Sequence, residues 1–229
     1  MKQKIFISGA SRGIGLSIAQ IFYQHDFEVI ICSRSAEKLA LAKEQMPDIH
    51  TFVCDISNKA AVKKLAAQIN EQFGALEVLV NNGGIFLPGQ IHSEEDEVYE
   101  KLMQTNMDSA YYFSKALLPA MIERKQGTIF NMCSVASIIA YPSGGSYGIS
   151  KFALLGFSKA LREEMKPYHI RVISVLPGAV MTDSWSGVDL PEARFIPPED
   201  IAQLIWTAYN MSPRTVVEEI LVRPALGDI

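Results

Sequence analysis

Cysteine is scarce in this chain of 229 residues: Cys32, Cys54 and Cys133, odd in number and widely separated. That excludes a disulfide framework. Each lies in or at the end of an apolar run, so buried free thiols are expected. Long hydrophobic runs are missing too, and no stretch approaches the roughly 18 apolar residues of a membrane span. Met1 to Lys4 are followed only by Ile5, Phe6 and Ile7 before Ser8 and Gly9. This is too short for a secretion signal, and a cytoplasmic protein is expected. There is no basic surplus either: 21 Lys and Arg against 25 Asp and Glu give a formal charge of -4, which disfavours a nucleic-acid partner. The histidines at 25, 50, 92 and 169 share no ligand spacing with one another or with cysteine, so no metal site is expected. What remains is an ordinary globular composition, 48% hydrophobic and 20% charged, on a length that suits one large core.

Two segment types alternate along the chain. Short β-rich runs lie at 4–8, 28–33, 50–54, 78–81, 128–133, 170–176 and 219–222. Several are apolar almost throughout, as in strands covered on both faces. Helical patterns lie between them at 13–24, 37–46, 58–73, 94–124 (read as two helices), 145–167 and 198–209. Asn58 is placed to cap the third helix, and Ser93 followed by Asp96 reads as a capping-box variant. The acidic run Glu94 to Glu97 fits a helix N-terminus better than a metal site, and Pro198 followed by Glu199 and Asp200 marks another helix start. The alternation predicts a single doubly wound α/β domain spanning 1–229, with a parallel seven-stranded sheet and helices on both faces. The irregular segment 183–197 is expected to cover a substrate.

The turn after the first run reads Ser8-Gly9-Ala10-Ser11-Arg12-Gly13-Ile14-Gly15. Glycines here let the backbone turn sharply and approach a pyrophosphate, which the N–H groups of a helix start then stabilise. The spacing is Gly-x-x-x-Gly-x-Gly, unlike the general dinucleotide fingerprint. A fold that prefers NAD carries an acid near the end of its second strand; here the sequence is Cys32-Ser33-Arg34-Ser35. The Arg34 guanidinium, the Ser33 hydroxyl and Arg12 suit a 2′-phosphate, so NADP(H) is the expected cofactor.

Tyr147 and Lys151 are four apart in a helical segment and project from one face. A neighbouring ammonium, together with an oxidised nicotinamide, is expected to stabilise the phenolate and bring it toward neutral pH. Such a phenol can donate a proton to a carbonyl oxygen as hydride arrives. Ser134, at the end of the fifth run, could bond the same oxygen. Tyr111 and Lys115 repeat the spacing, but lack a strand-end serine and lie in the middle of a long predicted helix.

These features, taken in order, resemble the short-chain dehydrogenase/reductase family over essentially the whole length, a Rossmann-type fold. The matching elements are Gly9, Gly13 and Gly15; Asp55; Asn81-Asn82-Gly83-Gly84; Asn106; Ser134; Tyr147 and Lys151; and Pro177-Gly178 followed by Thr182. The resemblance implies catalytic roles for Ser134, Tyr147 and Lys151, with Tyr147 as acid/base and Ser134 orienting the carbonyl. Lys151 would hold the nicotinamide ribose, and Asn106 would anchor a water that relays protons. Gly9, Ser11, Arg12, Gly13, Ile14, Gly15, Ser33, Arg34, Asp55, Ile56, Asn82, Gly83, Gly84, Pro177, Gly178, Val180 and Thr182 would line the cofactor site with Tyr147 and Lys151. Asp55 would touch the adenine; Val180 and Thr182 would meet the carboxamide. Dimers or tetramers joined through helices around 106–124 and 146–166 are implied as well. One departure stands out: the usual Asn-Asn-Ala-Gly is Asn81-Asn82-Gly83-Gly84 here, which removes no polar group. The stretches 177–185 and 216–224 resemble bacterial sepiapterin-reductase-like members, and Trp185 could stack on a pterin.

The expected activity is NADPH-dependent reduction of a small-molecule ketone, with sepiapterin and 3-oxoacyl thioesters as open substrates. A non-catalytic NADP(H) sensor is the alternative of another class. A serine hydrolase is a further rival, because Gly-x-Ser-x-Gly occurs around Ser11 and around Ser146. A nucleophile elbow needs a strand directly before it, with acid and histidine following in chain order. The second match lies about ten residues past its strand, and the first sits on strand one.

Overall fold

The computed structural model describes residues 2–182, 187 and 189–229. Its strands are β1 (Lys4–Ser8), β2 (Glu28–Ser33), β3 (His50–Val53), β4 (Val78–Asn81), β5 (Gly127–Met132), β6 (Ile170–Pro177) and β7 (Glu219–Val222). They form one parallel sheet in the order β3-β2-β1-β4-β5-β6-β7. The helices are α1 (Gly13–Gln24), α2 (Ala36–Gln45), α3 (Lys59–Phe73), α4 (Asp96–Met103), α5 (Ser109–Arg124), α6 (Gly145–Met165) and α7 (Pro198–Tyr209).

Strand alternation sorts the core into two layers. Ile5 and Ile7 of β1 face the layer of α1, α2 and α7, with Ile18, Phe22, Leu39 and Ile205. Phe6 points the other way, into the layer of α3, α5 and α6, with Leu65, Phe113 and Leu161. This period of two, buried on both faces, is why the strands read as continuous apolar runs. Aromatic edges reinforce each layer. Phe22 meets Phe27 and Trp206 at 4.9 and 5.2 Å, and Phe6 meets Phe113 at 5.0 Å.

Local signals account for most element ends. Asn58 caps α3 by accepting from the Ala61 N–H at 3.0 Å, and Ser35 caps α2 by accepting from Lys38 at 3.2 Å. The Ser93–Asp96 capping box does not form. The Ser93 hydroxyl turns back to the Gln90 carbonyl, and α4 starts from Glu95 without a side-chain cap. The two helices expected in 94–124 run on without a break through a π-helical turn, Gln104–Asp108. The three cysteines are buried and free. Among the described residues no helix is long and apolar enough to cross a membrane. Of the substrate-covering segment 183–197, residues 183–186 and 188 lie outside the described residues, and Trp185 with them.

Candidate active site

Strand order places the site. The chain winds one way from β1 to β2 and β3, and the other way from β4 outward. The connections leaving β1 and β4 therefore part at their C-terminal ends, the usual ligand crevice of an open parallel sheet. A cleft opens there, lined among others by Gly9, Ser11, Arg12, Gly13, Ile14, Gly15, Ser33, Arg34, Asp55, Ile56, Asn82, Gly83, Gly84 and Thr182. A larger depression of about 660 Å³ lies at the opposite end of β1 to β3, lined in part by Lys2, Asp26, Glu28 and His50. Lys2 pairs there with Asp26, and His50 Nε2 lies 3.1 Å from the Glu28 carboxylate.

The glycine turn fits a dinucleotide by geometry. Gly9 has φ +65, and a Cβ there would stand 2.7 Å from the Gly83 Cα. A Cβ on Gly15 would stand 2.5 Å from Asn82 Nδ2 and 2.7 Å from the Gly9 carbonyl. Any side chain would thus fill the cradle or push its walls apart. Helix α1 starts from Arg12 with no side-chain cap and no acid in its first turn. Its N–H groups and dipole are open to an anion such as a pyrophosphate. Asn82 holds the turn in place, donating from Nδ2 to the Ser8 and Gly9 carbonyls at 3.0 and 2.9 Å. The Ser8 hydroxyl accepts from the N–H groups of Asn82 and Gly83. Gly83, where the family pattern has alanine, hosts the Ile56 side chain: a Cβ would come within 2.2 Å of Ile56 Cδ1.

At the adenosine end, Ser33 accepts from the Ser11 hydroxyl at 2.8 Å, and Arg34 follows it, exposed. Arg12, Ser33 and Arg34 all line the cleft, with no acid at the end of β2. The residues present fit NADP(H). Asp55 stands exposed at the same end, accepting from the Ser57 N–H and hydroxyl.

The other expected residues divide. Thr182 reaches the cradle, its Cγ2 3.1 Å from a Cβ placed on Gly13. Val180 does not offer its side chain: it is buried in the core and bridges Ile196. Pro177 ends β6, and the Gly178 Cα faces Pro224 and Asp228. Ile85 and Thr105 line it too, and no motif in the sequence singled them out.

Ser134, Tyr147 and Lys151 come together beyond the cradle. Ser134 follows β5, buried; its hydroxyl accepts from the Ala136 N–H at 3.1 Å and lies close enough to the Tyr147 phenol to favour its ionisation. Tyr147 and Lys151 share a face of α6, with the Lys151 ammonium 5.8 Å from the tyrosine ring centroid. Lys151 Nζ donates to the Met132 carbonyl at 2.8 Å. Asn106, turned inward by the π-helical turn, accepts from the Ile85 N–H at 2.8 Å and donates to the Ile85 carbonyl and the Ser150 hydroxyl. It thereby ties the strand-4 loop to α6 beside Lys151. The repeat of the spacing at Tyr111 and Lys115 lies on α5, with an exposed ring far from this cluster in the chain.

Burial governs the electrostatics of the pair. Burial pushes the Tyr147 phenol above its ordinary value; Ser134 pulls it down and Cys133 adds to the rise. Lys151 is itself lowered to about 8 by burial. Desolvation is the largest cause for both groups, and the phenol keeps its proton at neutral pH. Burial likewise raises the Cys133 thiol to about 11 and the Tyr141 phenol to about 12. The hydrolase rival fails on geometry: the Ser146 hydroxyl donates to Glu94, and Ser11 to Ser33.

The chain matches the short chain dehydrogenase family over residues 3–192. It is 36% identical over 243 aligned residues to the sepiapterin reductase of Chlorobaculum tepidum, covering 100% of this chain and 99% of that protein. A metagenomic short-chain oxidoreductase in complex with NADP superposes with a TM-score of 0.86 at 29% identity, covering 97% of both chains. The closed form of a serine dehydrogenase complexed with NADP+ does so at 0.89 and 25% identity, covering 99% of this chain and 97% of that one. Sheet order, glycine cradle and these likenesses agree: the chain belongs to the short-chain dehydrogenase family of oxidoreductases.

Proposed function

We propose that the protein is an NADPH-dependent carbonyl reductase in which Tyr147 protonates the carbonyl oxygen. The gathering of Ser134, Tyr147 and Lys151 beyond the glycine cradle carries this reading. The cofactor, when bound, supplies the hydride. The α1 N-terminus and Gly9 to Gly15 would hold its pyrophosphate; Arg12, Ser33 and Arg34 its 2′-phosphate; Lys151 its nicotinamide ribose. Ser134 polarises and orients the carbonyl. Tyr147, whose proton is retained by burial, is ready to donate it, which suits reduction.

A planar substrate such as a pterin is supported by the likeness to a sepiapterin reductase and by the aromatic surroundings of Tyr147. Phe86 meets the Tyr147 ring edge-on at 4.8 Å, and Tyr147 lies close enough to Tyr141 to add to the rise of the Tyr141 phenol. We further propose a dimer or tetramer, supported by Tyr111, Ile149 and Phe152, which leave α5 and α6 with 38%, 41% and 47% exposure.

The test is NADPH oxidation with sepiapterin and with an acetoacetyl thioester, by the wild type and by Tyr147→Phe. Turnover of sepiapterin, lost in the variant with NADPH binding retained, is expected. No oxidation with either carbonyl, or a variant active within a few-fold, overturns the assignment.

A further inference from the structure

The acidic run after the strand-4 loop is not all spent on α4. Asp96 and Glu97 lie in its first turn and Glu95 precedes it. Glu94 instead reaches across to α6. Its carboxylate accepts from the Ser146 hydroxyl and, at 3.5 Å, from the Ser146 N–H. Ser146 is buried, at 2% exposure, and directly precedes Tyr147. Helix α6 begins at Gly144 with no side-chain cap of its own and no acid in its first turn. The cap its exposed N–H groups need comes from another segment.

The approach is built for close contact. Gly89 donates to the Ser143 carbonyl at 3.1 Å. A Cβ on Gly89 would stand 2.6 Å from Glu94 Oε2, and one on Gly145 would stand 2.6 Å from the Gly89 carbonyl and 2.9 Å from the same carboxylate oxygen. Two glycines on facing segments thus make room for one carboxylate. The segment so anchored also carries Phe86, whose ring lies against Tyr147. One end of the loop touches the phenol ring, and the other grips the helical turn that bears it.

We propose that Glu94 is a positioning residue: it fixes the first turn of α6 through Ser146 and so holds the Tyr147 hydroxyl toward Ser134. This rests on the catalytic reading of Tyr147 given above. A general acid displaced by a fraction of an ångström loses rate without losing its chemistry.

Glu94→Ala, Glu94→Gln, Ser146→Ala and the Glu94→Ala/Ser146→Ala double variant test it, each loaded with NADP(H). Hydrogen exchange in the peptide over 144–152 is expected to quicken at least about threefold in Glu94→Ala, with the β1–α1 peptide unchanged. Turnover of the carbonyl reduced in the panel above is expected to fall about tenfold in kcat, with NADPH affinity within about twofold. Glu94→Gln, which keeps an acceptor oxygen, should recover most of that loss. The double variant should be no worse than Glu94→Ala, because the two groups act as one unit. Unchanged exchange over 144–152 overturns the proposal. So does a kcat within twofold of wild type, or losses that multiply in the double variant. The exchange measurement needs no carbonyl, and Tyr147→Phe reads the catalytic assignment separately, so failure of either is distinguishable from failure of the other.

Discussion

Replacing Arg34 with alanine removes the one cation that follows β2 at the mouth of the cleft, beside the Ser33 hydroxyl. NADPH and NADH differ only in the 2′-phosphate, so the perturbation separates them. A charge-assisted hydrogen bond contributes about 1.5–3 kcal/mol. Arg34 is exposed, and solvent and salt screen it, which places the effect near the lower end, about 1.5 kcal/mol. That corresponds to about tenfold in Kd for NADPH. NADH, which has no 2′-phosphate, should stay within about twofold. Fluorescence titration of both reduced cofactors at low and high salt provides the measurement. The wild-type preference should shrink as salt rises, and the variant's residual preference, owed to Arg12 and Ser33, should shrink with it. If the ratio of the two affinities is the same in Arg34→Ala as in the wild type, the assignment of this end of the cleft to a 2′-phosphate is refuted.

Other outcomes follow from the same geometry. Lys151 holds its proton only below about 8, so kcat/KM for reduction should stay level below neutrality and fall as pH rises through that value. A profile flat to about pH 9.5 would separate the ammonium from the chemistry. Gly9→Ala places a side chain at φ +65 against the Gly83 backbone, a strain of about 1–2 kcal/mol before the clash is counted. Differential scanning calorimetry should show a Tm at least about 3 °C lower, and an unchanged Tm would count against the tight cradle. Phe113→Ala empties a site with 0% exposure against Phe6, and urea unfolding should report about 3–5 kcal/mol lost. Phe152→Asp on the exposed face of α6 should shift the sedimentation coefficient toward the monomer; an unaltered value would place the subunit contact elsewhere.

The fold was legible because both-face burial writes itself into the strands as apolar runs, and caps such as Asn58 act within four residues of themselves. The cofactor turn was legible for the same reason, since its glycines, Ser11 and Arg12 are consecutive. What stayed hidden depends on long-range contact. Ser93 looked like a cap, yet Glu95 took the position before α4, because the chain from Gln90 makes its own turn first. Tyr147 and Lys151 were found by spacing, but the burial that raises the phenol was not legible there. Charge proximity can be guessed from a sequence, whereas burial of the phenol comes from packing against other elements, such as the Phe86 ring. The packing of Val180 shows the same limit: its side chain joins the core, which its place in the chain did not announce. Ile85 and Thr105 carry no motif at all, being ordinary residues delivered to the cleft by their neighbours.

The widened turn at Gln104–Asp108 has a consequence for how this region tolerates length change. A wide turn holds one residue more than an ordinary helix would, and so offsets by roughly 100° the faces on either side of it. Here α4 lies against α6 while α5 lies against α3, and both seats are satisfied only with that offset. Deleting one residue within 104–108 would regularise the hydrogen bonds yet swing one of the two faces out of its seat and carry Asn106 away from Ile85. Insertions and deletions that the surface loops absorb freely should therefore be rejected inside this unbroken stretch of helix.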